Sequence, residues 1–557
     1  MLIIKKGLLV CGVFLSMAGR AQLHSDVKIF ELSDDRSFGL SLSPDGQTAY
    51  FVKAYGGRQR LEIVQSEKKN GKWSAPEPAF FSETSTREID PFVSPDGCSI
   101  LYNSRRNGGK DKDLDVWMVK KKGGKWGSPF PVDAVNGLAH ETYATMTADG
   151  HIYFGVEKEG GHGGGDIYVS RWENGRYQPP QNIGWPVNTN RDEGNCFVAS
   201  DESYIIYSAN GHSPNFGGFD LYISFNFNGI WSTPFNLGSG INTAGNDFCP
   251  TVYGKDTLYF SRSVKVEGKL VENMYSTRLN LPLLKAMAAL QTVSVLDKAF
   301  PDGSAYGITF SPDGKTAYTT VSNDTRSLCE VYSIRKEETG DFMNPQKMGA
   351  WNITGNVANP VVSHDGSFVL LRISGTDNNP DLYISGKKEG DQWQQPVPLP
   401  GYINTAIDQY YPELTPDNHL YYSSNGDVFY AEYRNGQWQV PTPVTALNTP
   451  SFSESNIAVS RDGNFLVFLS DRPGSYGSYD LLISKNRNGK WSEPLNLGPG
   501  INTPAMEYQP RFSPDNTELY FTRSVFKDGK RQGRDTVLKV SIKELLKVFV
   551  LQEPVSP

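Results

Sequence analysis

Two stretches, Phe235-Asn-Leu-Gly-Ser-Gly-Ile-Asn-Thr243 running on to Asp256-Thr-Leu-Tyr-Phe-Ser-Arg-Ser263 and Leu495-Asn-Leu-Gly-Pro-Gly-Ile-Asn-Thr503 running on to Thr517-Glu-Leu-Tyr-Phe-Thr-Arg-Ser524, read almost as one. The chain is a duplicated module, and a repeat governs every other inference about its fold. A shorter phrase recurs inside each copy: an acid, a few residues, Ser-Pro-Asp-Gly or a variant, then an aromatic-rich run. With the Asp of that phrase as landmark, the first copy has Asp45, Asp96, Asp149, Asp201 and a shortened version at Gly254-Lys255. The second has Asp313, Asp365, Asp417, Asp462 and Asp515.

Alternating β-branched and aromatic runs follow each landmark, such as Thr48-Ala-Tyr-Phe-Val52 and Ile205-Ile-Tyr-Ser208, and read as strands. A Gly- or Asn-rich loop and a further strand opening on Asp come next, as in Asp115-Val-Trp117, Asp220-Leu-Tyr222 and Asp381-Leu-Tyr383. Asn-Gly pairs at Asn70, Asn228, Asn435 and Asn488 then mark tight hairpins, because both turn residues can take positive φ. Four short antiparallel strands per unit, repeated radially, fit a β-propeller blade better than a sandwich or a closed barrel. The phrase resembles the PD40 or WD40-like propeller repeats of exported bacterial proteins, including the propeller of TolB. That resemblance implies an all-β fold and little about activity, since propellers host binding modules and enzymes alike.

The fifth and tenth units lack the Gly-x-Trp strand and pass into helix-like segments, so each needs a fourth strand from elsewhere. The segments 27–32 and 292–297, each just ahead of a first unit, are the candidates. If each module takes its own leading strand, two five-bladed propellers in tandem result; strands used in chain order give one ten-bladed ring. The expected division is a signal peptide at 1–21, a first module at 22–280 and a helical linker at 281–290. A second module at 291–541 and a C-terminal helix and tail at 542–557 complete it.

The first residues combine a basic start at Lys5 and Lys6, an apolar run from Leu8 to Met17, and small residues Gly19 and Ala21 before Gln22, the pattern of an export signal. Cys11 lies within the apolar run with Val10 ahead of it, which argues for ordinary cleavage over lipidation. The expected location is the periplasm or cell surface. No later apolar run approaches the ~20 residues of a membrane helix. The formal net charge of −7 becomes −10 once Lys5, Lys6 and Arg20 are removed, which disfavours nucleic acid as a partner. Cys98, Cys196, Cys249 and Cys329 have no zinc-type spacing; Cys196 and Cys249, at similar places in consecutive repeats, are either a bridge or two small buried side chains.

Eight positions before the landmark stands an acid in many units: Glu88, Glu141, Glu193 and Asp247 in the first copy, Glu454 and Glu507 in the second, with Ala305, Val357 and Gln409 departing. These carboxylates, with His140, either ring a channel mouth and hold a ligand or accept hydrogen bonds within the repeat. Asp111, Asp113 and Asp115 alternate as calcium ligands do, but Val116 stands where an EF-hand loop needs Gly and no closing Glu follows. No other cofactor is indicated. The Gly-rich loop 160–165 lacks the Lys-Ser/Thr of a phosphate loop. Trp185, Trp351, Tyr410 and Tyr411 are candidates for stacking on a sugar or a partner protein. Seven histidines include no His-Glu-x-x-His pair, and no Gly-x-Ser-x-Gly elbow occurs. The sequence thus favours a non-catalytic exported binding or scaffold protein for an envelope protein or glycan. The alternative is a carbohydrate-active propeller hydrolase or lyase with its site at the mouth of the first module.

Overall fold

The computed structural model describes residues 23–552 except 107–113, 138–139, 158–162, 213–214, 302–303, 324–326, 350, 352, 354, 376–379, 389–391, 473–474 and 528–529. Strand dominates, and the only described helices are Leu281–Ala288 and Ile542–Gln552. The chain separates into two compact units, residues 21–288 and a second that holds residues 289–557.

Among the described residues of the first unit, five antiparallel sheets follow one plan in which an inner strand pairs with a second, the second with a third, and the third with a short outer strand. The inner strands are Ser37–Leu42, Glu88–Val93, His140–Met146, Asp192–Val198 and Asn246–Tyr253. Each touches the next, and the last touches the first. The final sheet takes its outer strand from the front of the unit: Lys28 pairs with Ser276 and Ile29 with Tyr275. The second unit repeats the plan with inner strands Ser304–Phe310, Asn356–Val362, Tyr410–Leu414, Glu454–Val459 and Met506–Phe512, again in cyclic contact. Its last sheet is completed by Val293 and Ser294 against Lys539 and Leu538.

Local chemistry explains the repeated phrase. In Ser43-Pro44-Asp45-Gly46 the Ser43 hydroxyl and the Gln47 amide both donate to Asp45 Oδ1, at 2.5 and 3.0 Å, and Gly46 supplies φ +68°. The Ser43 bond leads in holding the Asp45 carboxyl below the usual carboxylate range. The same Ser-to-Asp bond recurs at Asp96, Asp313, Asp365, Asp462 and Asp515. This turn joins inner to second strand. The Asn-Gly hairpins likewise carry φ +51° and +77° at Asn70 and Gly71, the mirror-image turn their residues favour.

Sheets pack face to face through side chains pointing alternately out of each pleat. Leu101, Val116 and Met118 of one sheet meet Ala144, Ile152 and Phe154 of the next. The helix Leu281–Ala288 is capped by the Asn280 side chain, which accepts from the Leu283 amide at 3.2 Å. It buries Leu283, Leu284 and Met287, and Leu284 joins the core formed by Ile223, Leu258 and Phe260, so the segment expected as a linker packs on the first unit. Cys196 and Cys249 are separate buried thiols, the second of the two readings: Cys249 Sγ lies 3.9 Å from Asp90 Oδ1 and 3.8 Å from Asn195 Oδ1.

Candidate functional site

The recurring acids are buried and answered locally. Glu88 accepts from Ser82 Oγ and the Glu83 amide, both at 2.8 Å, and from Ser104 Oγ at 2.9 Å and Arg106 Nε at 2.7 Å. Arg106 also donates to the Phe81 carbonyl. Asp247 repeats the arrangement with the Thr243 amide and hydroxyl and Arg262 Nε, at 2.7, 3.0 and 2.7 Å. Glu454 pairs with Arg472 and Glu507 with Arg523 in the same way. Glu193 is held by Thr189 and by His212 Nε2 at 2.5 Å. Glu141 accepts from the Gly137 amide at 3.1 Å, and His140 Nδ1 accepts from the Leu114 amide at 3.4 Å. Each acid therefore fastens the loop ahead of its own inner strand, and those with an arginine fasten the second strand too. Burial raises the carboxyl pKa of Asp247 and Glu507, against the pull of their arginines.

A different column faces the place where the inner strands converge. Every inner strand carries a β-bulge, and the residue six positions before the landmark adopts positive φ. In the first unit these are Gly39, Asp90, Tyr143, Asn195 and Cys249; in the second, Gly307, Asn359, Tyr411, Asn456 and Gln509. The bulge amide is often tied to the second strand of the preceding sheet: Gly39 N donates to Ser261 Oγ at 2.9 Å, Tyr143 N to Asn103 Oδ1 at 2.9 Å and Gly307 N to Thr522 Oγ1 at 2.8 Å. This column was legible in principle. It varies within an otherwise constant phrase, it is rich in Gly, Asn and Asp, which tolerate left-handed backbone, and Pro follows at Pro91, Pro250, Pro360, Pro412 and Pro510.

In the first unit the column opens into a cavity of about 470 Å³ lined by Asp90, Asn195 and Cys249 together with Arg58, Arg87, Asp192, Glu193 and Glu272. Of the acids singled out in the sequence, only Glu193 lines it. Arg58, held at φ +71° in the turn after Thr48–Tyr55, is fixed by two-pronged bonds to Glu272, with Nε at 3.1 and 3.0 Å and Nη2 at 2.5 Å. Its guanidinium also lies 4.6 Å from the Phe38 ring centre. Such a doubly anchored cation keeps its geometry without a ligand. Burial pushes the Asp90 carboxyl up to about 6, although Arg58 and Arg87 pull the other way.

The opposite end of this unit holds a second cavity of about 740 Å³, reaching from Pro44 and Pro95 to Tyr204, Tyr259 and Lys285. Among the described residues of the second unit, the cavity around Gly307, Asn359, Tyr411, Asn456 and Gln509 is about 30 Å³, and another beside Glu413 and Arg511, which form an ion pair, is about 50 Å³. Tyr411 thus serves as filling. Tyr410 stacks under Arg372, with the guanidinium 5.0 Å from the ring centre, and Trp351 donates to the Gln394 carbonyl at 2.9 Å. Trp185 is 79% exposed. In the calcium reading, Asp111 and Asp113 lie outside the described residues, as do 160–162 of the Gly-rich loop. No group of three or more His, Cys, Asp or Glu among the described residues is placed to hold a metal ion. No described helix is long and apolar enough to cross a membrane.

No protein-family model matches the chain, and no curated protein matches its sequence. Solved structures similar to it include a putative TolB from Agrobacterium tumefaciens, 16% identical over 40% of this chain and 71% of that one, with TM-score 0.28. TolB from Acinetobacter baumannii is 15% identical over 72% and 78%, with TM-score 0.26. A thermostable family-43 glycoside hydrolase is 10% identical over 44% and 92%, with TM-score 0.31. Likenesses of this size say nothing of activity. The strand pairings above stand without them.

Proposed function

We propose that the chain is an exported, non-catalytic binding protein built from two five-bladed β-propellers in tandem, which recognises a protein or glycan of the cell envelope at one mouth of the first propeller. The cyclic contact of five inner strands and the capture of each leading strand by the last sheet of its own unit support the blade count. The cavity of about 470 Å³ over the first unit's bulges, with Arg58 prefixed by Glu272 and Phe38, is the observation that carries the binding reading. The second propeller, whose described cavities at the corresponding bulges are small, serves as scaffold. Export rests on the basic and apolar pattern of residues 1–21.

Gly194 lines the cavity, and a Cβ there would meet nothing within 4 Å, so Gly194→Trp plugs the mouth with little strain. Full-length protein is screened on glycan and peptide arrays beside Gly194→Trp and Gly401→Trp, the latter an equally uncrowded glycine of the second unit. Loss of the retained ligand in the first variant alone supports the reading. Equal retention by all three proteins removes it.

A carbohydrate-active reading is favoured by one observation, the Asp90 carboxyl at about 6 facing a cavity that also holds Asp192 and Glu193. It requires release of new reducing or unsaturated ends from a polysaccharide panel, abolished in Asp90→Asn. No product from any polysaccharide leaves the binding reading in place.

A further inference from the structure

Two neighbouring arginines, of which Arg87 lines the first unit's cavity, hold no ion pair among the described residues. Arg87 and Arg105 are cross-strand neighbours one step beyond the Glu88–Ser104 pair, and the Arg105 amide donates to the Arg87 carbonyl at 3.3 Å. Like charges directly opposite on one sheet repel. Neither guanidinium makes an ion pair among the described residues, and the Nε of each is buried without a hydrogen-bond partner. The next arginine, Arg106, is engaged by Glu88 and the Phe81 carbonyl, so the sheet has a cation held in an ion pair right beside two that form none, with Asp90 as the nearby opposite charge on Arg87. Arg87 lines the cavity. Its pKa falls below the usual arginine value through burial and the nearby charges of Arg105 and Arg58, against Asp90. The pair is set for an anion supplied from outside.

The rest of the cavity limits what carries that anion. Asp90, Asp192 and Glu193 line it as well, and Asp192 is raised by burial and by the charges of Glu157 and Glu193. A bare anion, or a peptide rich in acids, meets these carboxylates with repulsion. A ligand with one anionic group and hydroxyl donors along the remainder satisfies both walls, and Thr142, Asn195 and Asn246 add short bidirectional partners. We propose that the cavity of the first unit binds the end of a uronate-bearing saccharide, its carboxylate between Arg87 and Arg105 and its hydroxyls on the facing carboxylates and amides. This rests on the binding reading above and narrows it to acidic glycans.

The test is calorimetric titration of the full chain with a galactotriose whose terminal residue alone is a galacturonate, the methyl ester of that uronate, galactotriose, a singly sulfated galactotriose and triglycine. The single-uronate trisaccharide is expected to bind at least tenfold more tightly than the ester or the neutral trisaccharide. That preference is expected to vanish in Arg87→Gln and Arg105→Gln, and to persist in the exposed Arg176→Gln. The ester comparison needs no variant, so it stands even if a substitution unfolds the protein. Equal binding of ester and acid, or tighter binding of the sulfated sugar or triglycine, overturns the proposal. Galactotriose bound as tightly as the single-uronate trisaccharide and blocked by Gly194→Trp overturns it while leaving the binding reading intact. Absence of any ligand for the wild-type protein on arrays and in titrations removes both.

Discussion

Asp90 reaches the cavity through one backbone irregularity. In a regular strand, side chains at alternate positions share a face, so Glu88 and Asp90 would point the same way. The bulge between Ile89 and Phe92, with φ +58° at Asp90, turns Asp90 inward while Glu88 locks its loop. The sequence exposes the acid that recurs and conceals the acid that faces the interior, because alternation is the rule that the bulge breaks. Asp90 is buried and its pKa is raised from 3.8 to about 6, so its ionised form costs nothing below the lower value and its full cost above the higher. Asp90→Asn, which keeps a residue tolerant of left-handed backbone, is therefore expected to stabilise the protein at pH 7 to 8 by no more than about 3 kcal/mol. The gain fades to nothing as pH falls to about 4. Urea midpoints of both proteins at the two pH values check this; an equal gain at both contradicts it. Gly39, at φ +66° with its nearest prospective Cβ neighbour at 3.5 Å, has room but the wrong backbone for a side chain. Gly39→Ala is expected to cost about 1–2 kcal/mol, the price of left-handed backbone alone, read from the same midpoints.

At the scale of strands and loops, the acid–arginine latch is the unit of construction. Glu88 with Arg106 and Asp247 with Arg262 join three pieces of backbone: the loop ahead of the inner strand, that strand, and the end of the second strand. Breaking such a pair leaves a charge buried and unanswered, which costs about 3–5 kcal/mol. Arg106→Met is expected to destabilise by this amount, and adding Glu88→Gln is expected to restore part of it; a double-mutant cycle on urea unfolding measures the coupling. Two independent, additive losses would show that the latch does not act as a pair. Half of this device was visible in the repeated phrase, since Arg262 and Arg523 sit in the two quoted stretches. The acids Asp247 and Glu507 were visible too, as a recurring position, but their pairing with these arginines was not, because spacing along the chain does not tell which loop folds back onto which strand. The turns, by contrast, were readable residue by residue: Ser-Pro-Asp-Gly and Asn-Gly carry their own hydrogen-bonding and φ requirements, independent of distant packing.

At the scale of the molecule, the periodic phrase announced β-sheets and their antiparallel order, while the contrast between a wide cavity at the first unit's bulges and a small one at the second's lay beyond it. That contrast depends on the summed size of five side chains. Asp90, Asn195 and Cys249 line the wide cavity of the first unit; Asn359, Tyr411, Asn456 and Gln509 leave about 30 Å³ beside Gly307. A Cβ on Gly307 would fall 2.3 Å from Gln509 Oε1, which shows how closely the Gln509 side chain packs over that glycine. The leading strands also matter at this scale. Removing residues 23–32 strips the outer strand from the sheet ending at Arg278 and bares the edge of Lys269–Arg278. The shortened protein is expected to melt at a lower temperature and to associate through that edge, seen as larger species in size-exclusion chromatography. A monomer with unchanged melting would count against closure by the leading strand.

The pairing of Ile29 with Tyr275 also sets a timetable. A ribosome releases roughly 5–20 residues each second, so the segment made first must wait on the order of tens of seconds for the segment that receives it. Until then the nascent chain carries four finished sheets and one unclaimed ribbon at its front, a state in which a holdase has most to offer.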